Sequence, residues 1–489
     1  MDGVCQGKVI VIECYSINMD ELEKEHIEAV QKISISVKDF NEKGIHVRIF
    51  HGSSNSTRAQ VFDPTKMVDV SKMNRVITIN FKEKYALVEP NVPMDALVDA
   101  TMKHGLIPPV VMEFPGITVG GGIQGGSGES SSFKYGLFHE TCLEYEMVIG
   151  NGEVVIVSPN LHPDLFYGTA CSYGSLGILT AIKISLIPAK EYVKLTYKRT
   201  IGAKDTIDET LQQAKVLEND FVDGIIFSDK LGTVMTGTFN DKVKMPIVSF
   251  SRAQDDWFYI HAQKITKKFE VYEELIPLKD YIFRYDRGGF WVGKHSLSRF
   301  YIPFNRLSRY ILNPAMSTRR LYSFLHATNI SQEYIVQDIS VPGRSALQFI
   351  RYIQQKIQIY PLWLCPLRPD TNVRLSPNYI KTDMVLNVGI WGTSSGDYAQ
   401  FKSSNREIEK ITEELGGRKV LYAHAYYPLE EFWKIYDKEW YEGLRQKYLA
   451  VRVFPDIYTK VFVRTEYKTT VIKGMLQVTK NHIFKSLLR

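Results

Sequence analysis

From Met19 to Glu42 the apolar residues Leu22, Ile27, Val30, Ile33, Val37 and Phe40 recur, from Ile27 onward, every three or four positions, and Gly44 follows. That spacing predicts an amphipathic helix with a glycine stop. "IHVRIF" next reads as a short β-branched strand. It feeds a polar loop, "HGSSNSTR" at residues 51–58, whose backbone N–H groups are left free for a ligand. "RVITINF" and "KYALVEP" predict two strands around a charged turn, and "VPMDALVDATMKHG" a helix with Pro93 in its first turn and Gly105 past its end. "LEYEMVIGNGEVVIVSP" alternates on both sides of Gly150-Asn151-Gly152, the pattern of an antiparallel hairpin. "DLFYGTACSYGSLGILTAIKISLIPA" gives a turn of small residues from Ser172 to Gly177 and a long strand ending at Pro188, where the composition shifts.

From about 190 to 415 strands ("DGIIFS", "VMTGTF", "EYIVQDISV", "MVLNVGIW") mix with helices ("SALQFIRYIQQKIQ", "NREIEKITEELGG"), as in an α+β domain on an antiparallel sheet. "KVLYAHAY" reads as one more strand, with Tyr422 and His424 on one face. "PLEEFWKIYDKEWYEGLRQKYL" reads as one aromatic-rich helix returning to the first domain. The expected division is 15–189, 190–420 and a C-terminal segment 421–489.

At 44% apolar and 23% charged, 489 residues suit a folded chain of two or three domains. The formal charge of +6 is spread along the chain, unlike the concentrated basic face of a nucleic-acid binder. Cys5, Cys14, Cys142, Cys171 and Cys365 show no zinc-type spacing and are odd in number, which favours a reducing compartment and no metal site. The apolar run Val9–Ile12 is too short for a signal peptide, and no later run approaches the ~20 apolar residues of a membrane span. The expectation is a cytoplasmic protein, or one peripherally associated with the endoplasmic reticulum membrane.

Candidate chemistry concentrates in "TVGGGIQGGSGES", residues 118–130. Its Gly120, Gly122 and Gly125 form G-x-G-x-x-G, but a dinucleotide fingerprint needs a helix opening at the third glycine. "GSGESSSFKYG" is too rich in glycine and serine to start one. The expectation is instead an extended ribbon that donates N–H groups to a flat or charged ligand.

"HGSSNST", "GITVGGGI", "YGLFHET", "NGEVV" and "DLFYGTACSYGSLGILT", in this order, resemble the FAD-binding domain of the vanillyl-alcohol oxidase superfamily. With "YIVQDISVP", "YPLWLCPL" and "LEEFWKIYDKEWYEGLRQKY", the stretch from about 80 to 460 is similar to the delta-24-sterol reductases. The resemblance implies an α+β fold: a two-lobed PCMH-type FAD-binding domain and an α+β substrate (cap) domain with an antiparallel sheet. It implies that His51, Gly52, Ser53, Ser54, Asn55, Ser56 and Thr57 hold the FAD pyrophosphate. Thr118, Val119, Gly120, Gly121, Gly122, Ile123, Gln124, Gly125, Gly126, Ser127, Gly128, Glu129 and Ser130 would wrap the cofactor, and Ser172, Gly174, Gly177 and Ile178 would touch it through backbone atoms. Asn55 stands where covalently flavinylated members often carry histidine, so FAD is expected to be non-covalent.

The implied reaction saturates an isolated sterol side-chain alkene, as in desmosterol. A proton adds to the less substituted carbon and reduced flavin, recharged by NADPH, gives hydride to the tertiary one. Candidate acids are Glu129, His139, Tyr422 and His424; the structural readings beside them are capping for Glu129 and core packing for His139. Asp338 and Gln337 are not separable as substrate-facing group and core partner. Tyr360 and Trp363 in "YPLWLCP" are expected in the sterol pocket wall. The competing activity is a flavin oxidase or dehydrogenase of an alcohol or sugar; a sterol-binding scaffold is the non-enzymatic alternative.

Overall fold

The computed structural model describes residues 21–52, 55–58, 62–394 and 396–467. Ser53, Ser54, Cys5, Cys14 and the run Val9–Ile12 lie outside them. The first helix, Glu21–Lys43, buries the face bearing His26, Val30, Ile33 and Val37, as its spacing requires. Its apolar stripe joins Val47, Val68, Val148, Ile178, Val453 and Phe454 in one core. The parallel strands β1 (Arg48–Phe50) and β2 (Met67–Asp69) lie beside it.

A five-stranded antiparallel sheet follows in the order β3 (Val76–Asn80), β4 (Tyr85–Val88), β8 (Ile178–Ser185), β6 (Cys142–Val148) and β7 (Val154–Val157), while β5 (Leu106–Ile107) pairs with β9 (Ile187–Pro188). An eight-stranded sheet is built from β10 (Tyr192–Thr200), β11 (Phe221–Ser228), β12 (Leu231–Asn240), β13 (Val271–Pro277), β14 (Tyr334–Pro342), β15 (Leu362–Leu367), β16 (Val385–Thr393) and β17 (Arg418–Lys419), in the order β13-β10-β12-β11-β15-β16-β14-β17. All its pairings are antiparallel, and the fold is α+β.

The alternation along β14, β15 and β16 sorts their side chains onto two faces. Ile335, Ile339, Leu362, Leu364, Val388 and Ile390 pack under the helices Gly202–Gln213, Ala346–Tyr352 and Tyr398–Glu414. The opposite face carries Asp338, Trp363, Cys365, Asn387 and Trp391, and it lines a cavity.

Three expectations are corrected. The glycine segment is not an extended ribbon: Val119–Gly125 is a short helix, with Thr118 Oγ accepting from Gly121 N at 3.1 Å and Gly126 at φ 65° closing it. Glycine permits the close packing there, since a Cβ on Gly120 would come within 2.9 Å of Pro90 and one on Gly122 within 2.4 Å of Met112. "LYAHAY" is not a strand either. Strand β17 ends at Lys419, because the carbonyls of Leu421, Tyr422 and Ala423 accept from Ser56, Thr57 and Arg58 instead of a neighbouring strand. The aromatic-rich helix is two, Leu429–Ile435 and Lys438–Lys447, divided where Asp437 caps the second by accepting from Trp440 N. That second helix holds the 163–175 region through Tyr441 to Ser175 (2.7 Å) and Lys447 to Asp164 (2.6 Å).

Candidate active site

The cavity measures about 370 Å³ and is lined by both loops singled out in the sequence, by β14–β16, by the helix Thr318–Thr328 and by Lys460. At its sheet wall, Gly389 stands in register between Asp338 on one neighbouring strand and Trp363 on the other. A Cβ on Gly389 would sit 2.4 Å from the Trp391 ring, so glycine clears the space this indole fills. Trp391 then lies 4.2 Å from Phe290 and 5.9 Å from Trp363, ring centre to ring centre. Trp363 is held from behind, its indole N–H donating to Asp223 at 3.1 Å.

Two carboxyl groups face this apolar end. Asp338 Oδ2 accepts from the Tyr422 hydroxyl at 2.7 Å, while among the described residues Asp338 Oδ1 has no hydrogen-bond partner. Burial pushes Asp338 up to about 7 against the opposing effect of that hydrogen bond. Glu113 is pushed up to about 8 by burial and by the nearby carboxylates of Glu129 and Asp338. Both groups are acids near neutral pH.

The other end is basic. Arg48, Arg58 and Lys460 line it, and their hydrogen bonds go to carbonyls: Thr459 for Arg48, Leu421 and Ala423 for Arg58, Gly174 for Lys460. Among the described residues none of the three is ion-paired to a carboxylate, and burial with Arg48 and Arg445 nearby drives Lys460 down to about 7. Uncompensated cations at a buried wall are costly unless an anion joins them. Among the described residues, Asn55 Nδ2 and Asn91 Oδ1, and Asn387 Oδ1 on the sheet wall, also lack partners. Buried polar groups are normally paired, so these orphans around one cavity suit an extended ligand that is anionic at one end.

Comparison with known proteins agrees. A family model described as "FAD binding domain" matches residues 25–158. The Delta(24)-sterol reductases of Rattus norvegicus and Homo sapiens are each 30% identical over 452 residues, covering 89% of this chain and 86% of the relative. That of Arabidopsis thaliana is 29% identical over 489 residues, covering 91% of this chain and 86% of the relative.

The chain belongs to the Delta(24)-sterol reductase family. It is an FAD-dependent oxidoreductase of that type, and the basic end and orphaned amides of its cavity fit the diphosphate-bearing cofactor.

Within this family member the cavity gathers His51, Asn55, Ser56, Thr57, Thr118, Gly120, Gly121, Gln124, Gly125, Gly126, Ser127, Gly128, Gly174 and Ile178. Gln124 ties two of these segments together, its Oε1 accepting from Ser172 Oγ (3.0 Å) and Gly174 N (2.7 Å). Gly52, Val119, Gly122, Ile123, Ser130, Ser172 and Gly177 do not line it; Gly122 and Gly177 serve close packing, against Met112 and against Met147 with Val148. Asp338, Trp363 and Tyr422 line the cavity, and Gln337 points the other way, to Asn405 and the His424 carbonyl.

The remaining acid candidates sit away from the cavity wall. Glu129 is buried in an ion pair with Arg284 (3.1 Å), which also binds Asp223 at 3.1 Å. His139 pairs with Asp370 at 2.9 Å. His424 is buried beside Ser331 and Phe401, and burial near Arg58 and Lys419 holds its imidazole well below its ordinary value. Tyr360 packs against the helix-covered face of the sheet. Glu113, Arg48, Arg58 and Lys460 are the charged lining residues that the sequence candidates did not include. Glu113 carries a signal in hindsight, a lone carboxylate inside "LIPPVVMEFPGI". No helix among the described residues is long and apolar enough to cross a membrane.

Proposed function

We propose that this protein reduces the side-chain Δ24 double bond of a sterol such as desmosterol, with non-covalent FAD as hydride donor and NADPH as the source of electrons. The observation that carries the reading is a carboxylic acid, Asp338, with an unpartnered oxygen on an aromatic cavity wall, opposite a basic end suited to a diphosphate. When bound, FAD in its reduced form supplies a hydride. Arg48, Arg58, Lys460, Asn55 and the glycine segment would hold its charged portion. A free histidine at position 55 would be required for the usual loop linkage, and Asn55 has no such nucleophile.

An isolated alkene must be protonated before it accepts hydride. Tyr422 donates to Asp338 Oδ2 and leaves Oδ1 to carry the acid proton toward the cavity. That proton would pass to the less substituted alkene carbon, leaving the tertiary carbon to accept the hydride that bound, reduced FAD would supply. Trp363, Trp391 and Phe290 present aromatic faces that stabilise the cationic carbon and exclude water from it. Glu113 is a second acid at this end, suited to return the proton to Asp338.

The test is anaerobic mixing of the yellow protein with NADPH, then with desmosterol, followed by mass spectrometry. Bleaching by NADPH and a product heavier by two hydrogens support the reading. Bleaching by an alcohol and not by NADPH would move the protein to the oxidase or dehydrogenase class.

A further inference from the structure

Between Arg287 and Gln332 the chain holds seven lysines and arginines and no aspartate or glutamate, although the two signs nearly balance overall, 60 against 54. Within this stretch the helix Arg306–Ile311 is built inside out. Leu307, Tyr310 and Ile311 stand at i, i+3 and i+4, which puts them on one face. They are 66%, 54% and 62% exposed, whereas the side chain the helix buries is Arg309, paired with Asp256 at 2.8 Å. Tyr301, just before it, is 93% exposed. Lys294 and Arg306 are exposed nearby and, among the described residues, make no ion pair.

This surface stretch is flanked on both sides by residues that line the cavity. Val292 and Ser296 precede it and line the cavity, and so do Leu321, Tyr322, Phe324 and Leu325 after it. The Phe300 ring lies 5.9 Å from that of Phe324, joining the surface stretch to the lining helix.

We infer that the outward face of Arg306–Ile311, with Tyr301, seats this protein on an anionic lipid bilayer beside the cavity. Leucine and isoleucine enter the boundary between headgroups and acyl chains, tyrosine settles at that boundary, and Arg306 and Lys294 meet lipid phosphates. Charge argues against a second copy as the occupant. A two-fold contact through this patch would set basic residues against basic residues. The inference rests on the sterol reading for its purpose, since an apolar substrate dissolved in a bilayer must reach the cavity from one.

The test is co-sedimentation of the FAD-loaded protein with vesicles of phosphatidylcholine, alone or mixed with phosphatidylserine. The expected result is binding to the phosphatidylserine vesicles that weakens with added salt. Leu307→Asp with Ile311→Asp should weaken it about tenfold or more, and Arg306→Glu should remove the phosphatidylserine preference. Retained flavin absorbance shows that each variant is folded. Equal binding by the double variant overturns the inference, as does wild-type protein that stays in the supernatant. So does a dimer in vesicle-free solution that the double variant splits, which would assign the patch to a second copy. No turnover is measured, so vesicle binding without desmosterol reduction would sink the substrate reading and leave the docking surface standing.

Discussion

As the proposed proton donor, Asp338 would act only while it keeps its proton, and the Tyr422 hydroxyl, by donating to Oδ2, favours the ionised form. Activity limited by this donor therefore falls as pH rises through about 7. Tyr422→Phe removes the donated hydrogen bond, raises the Asp338 pKa and moves the alkaline limb of kcat upward, which a pH–rate profile on saturating desmosterol reads directly. Asp338→Asn should cost about 10²-fold or more in kcat, with flavin reduction by NADPH retained. Glu113→Gln leaving a limb near 7 in place would confirm Asp338 as donor; its disappearance would hand the role to Glu113. The sequence could not choose Asp338 over Gln337, because β14 is buried on both faces and alternation then has no solvent side to mark. Nor could it place Glu129 and His139, whose proximity to the glycine segment suggested chemistry. Their partners, Arg284 and Asp370, stand 155 and 231 residues further on, and only the fold shows them paired.

The first helix docks on the five-stranded sheet through a charged contact as well as an apolar stripe. His26 lies between Glu89 (2.9 Å) and Glu146 (3.0 Å). Burial alone would lower its pKa, but hydrogen bonds to Glu146 and Glu89 outweigh burial and raise it to about 9 from 6.5. A raised histidine stabilises the fold fully below 6.5 and loses that contribution as pH climbs through 9. The loss amounts to about 3 kcal/mol. Urea unfolding below 6.5 and above 9 should show the drop in wild type and a flatter profile in His26→Leu; parallel profiles would refute the contact's role. This helix was legible because its period of 3.6 is sustained for about four turns, from Ile27 to Phe40. The helix Val119–Gly125 was not, since glycine propensity argues against it and what holds it are the Thr118 cap and the close approach of Pro90, Met112 and Phe138. The break between Ile435 and Lys438 escaped for a related reason: Asp437 reads as a helix surface residue until its side chain is seen capping Trp440 N.

Residues from Arg48 to Lys460 meet around one cavity, so a cofactor bound there would add to the contacts that already join distant parts of the chain. The 55–58 loop grips the Leu421–Ala423 carbonyls, and Lys460 reaches Gly174 across the basic end. The two loops that shape the cavity stood out in the sequence by composition, whereas its cations did not, being single residues in unremarkable segments. Lys460 is the informative one. Burial, with Arg48 and Arg445 nearby, puts it at about 7, half charged at neutral pH, and an arriving diphosphate must favour its charged form. FAD binding should then take up a proton above pH 7, visible as a calorimetric heat that depends on the buffer's ionisation enthalpy, and FAD affinity should fall as pH rises further. Lys460→Met should weaken FAD by about ten- to hundredfold, as expected for one lost charge-assisted hydrogen bond, and abolish the proton uptake. Riboflavin, which has the ring but no phosphate, should bind wild type and variant alike. Equal weakening of both flavins would place Lys460 at the ring end of the cofactor, and no change in either would remove it from the binding site.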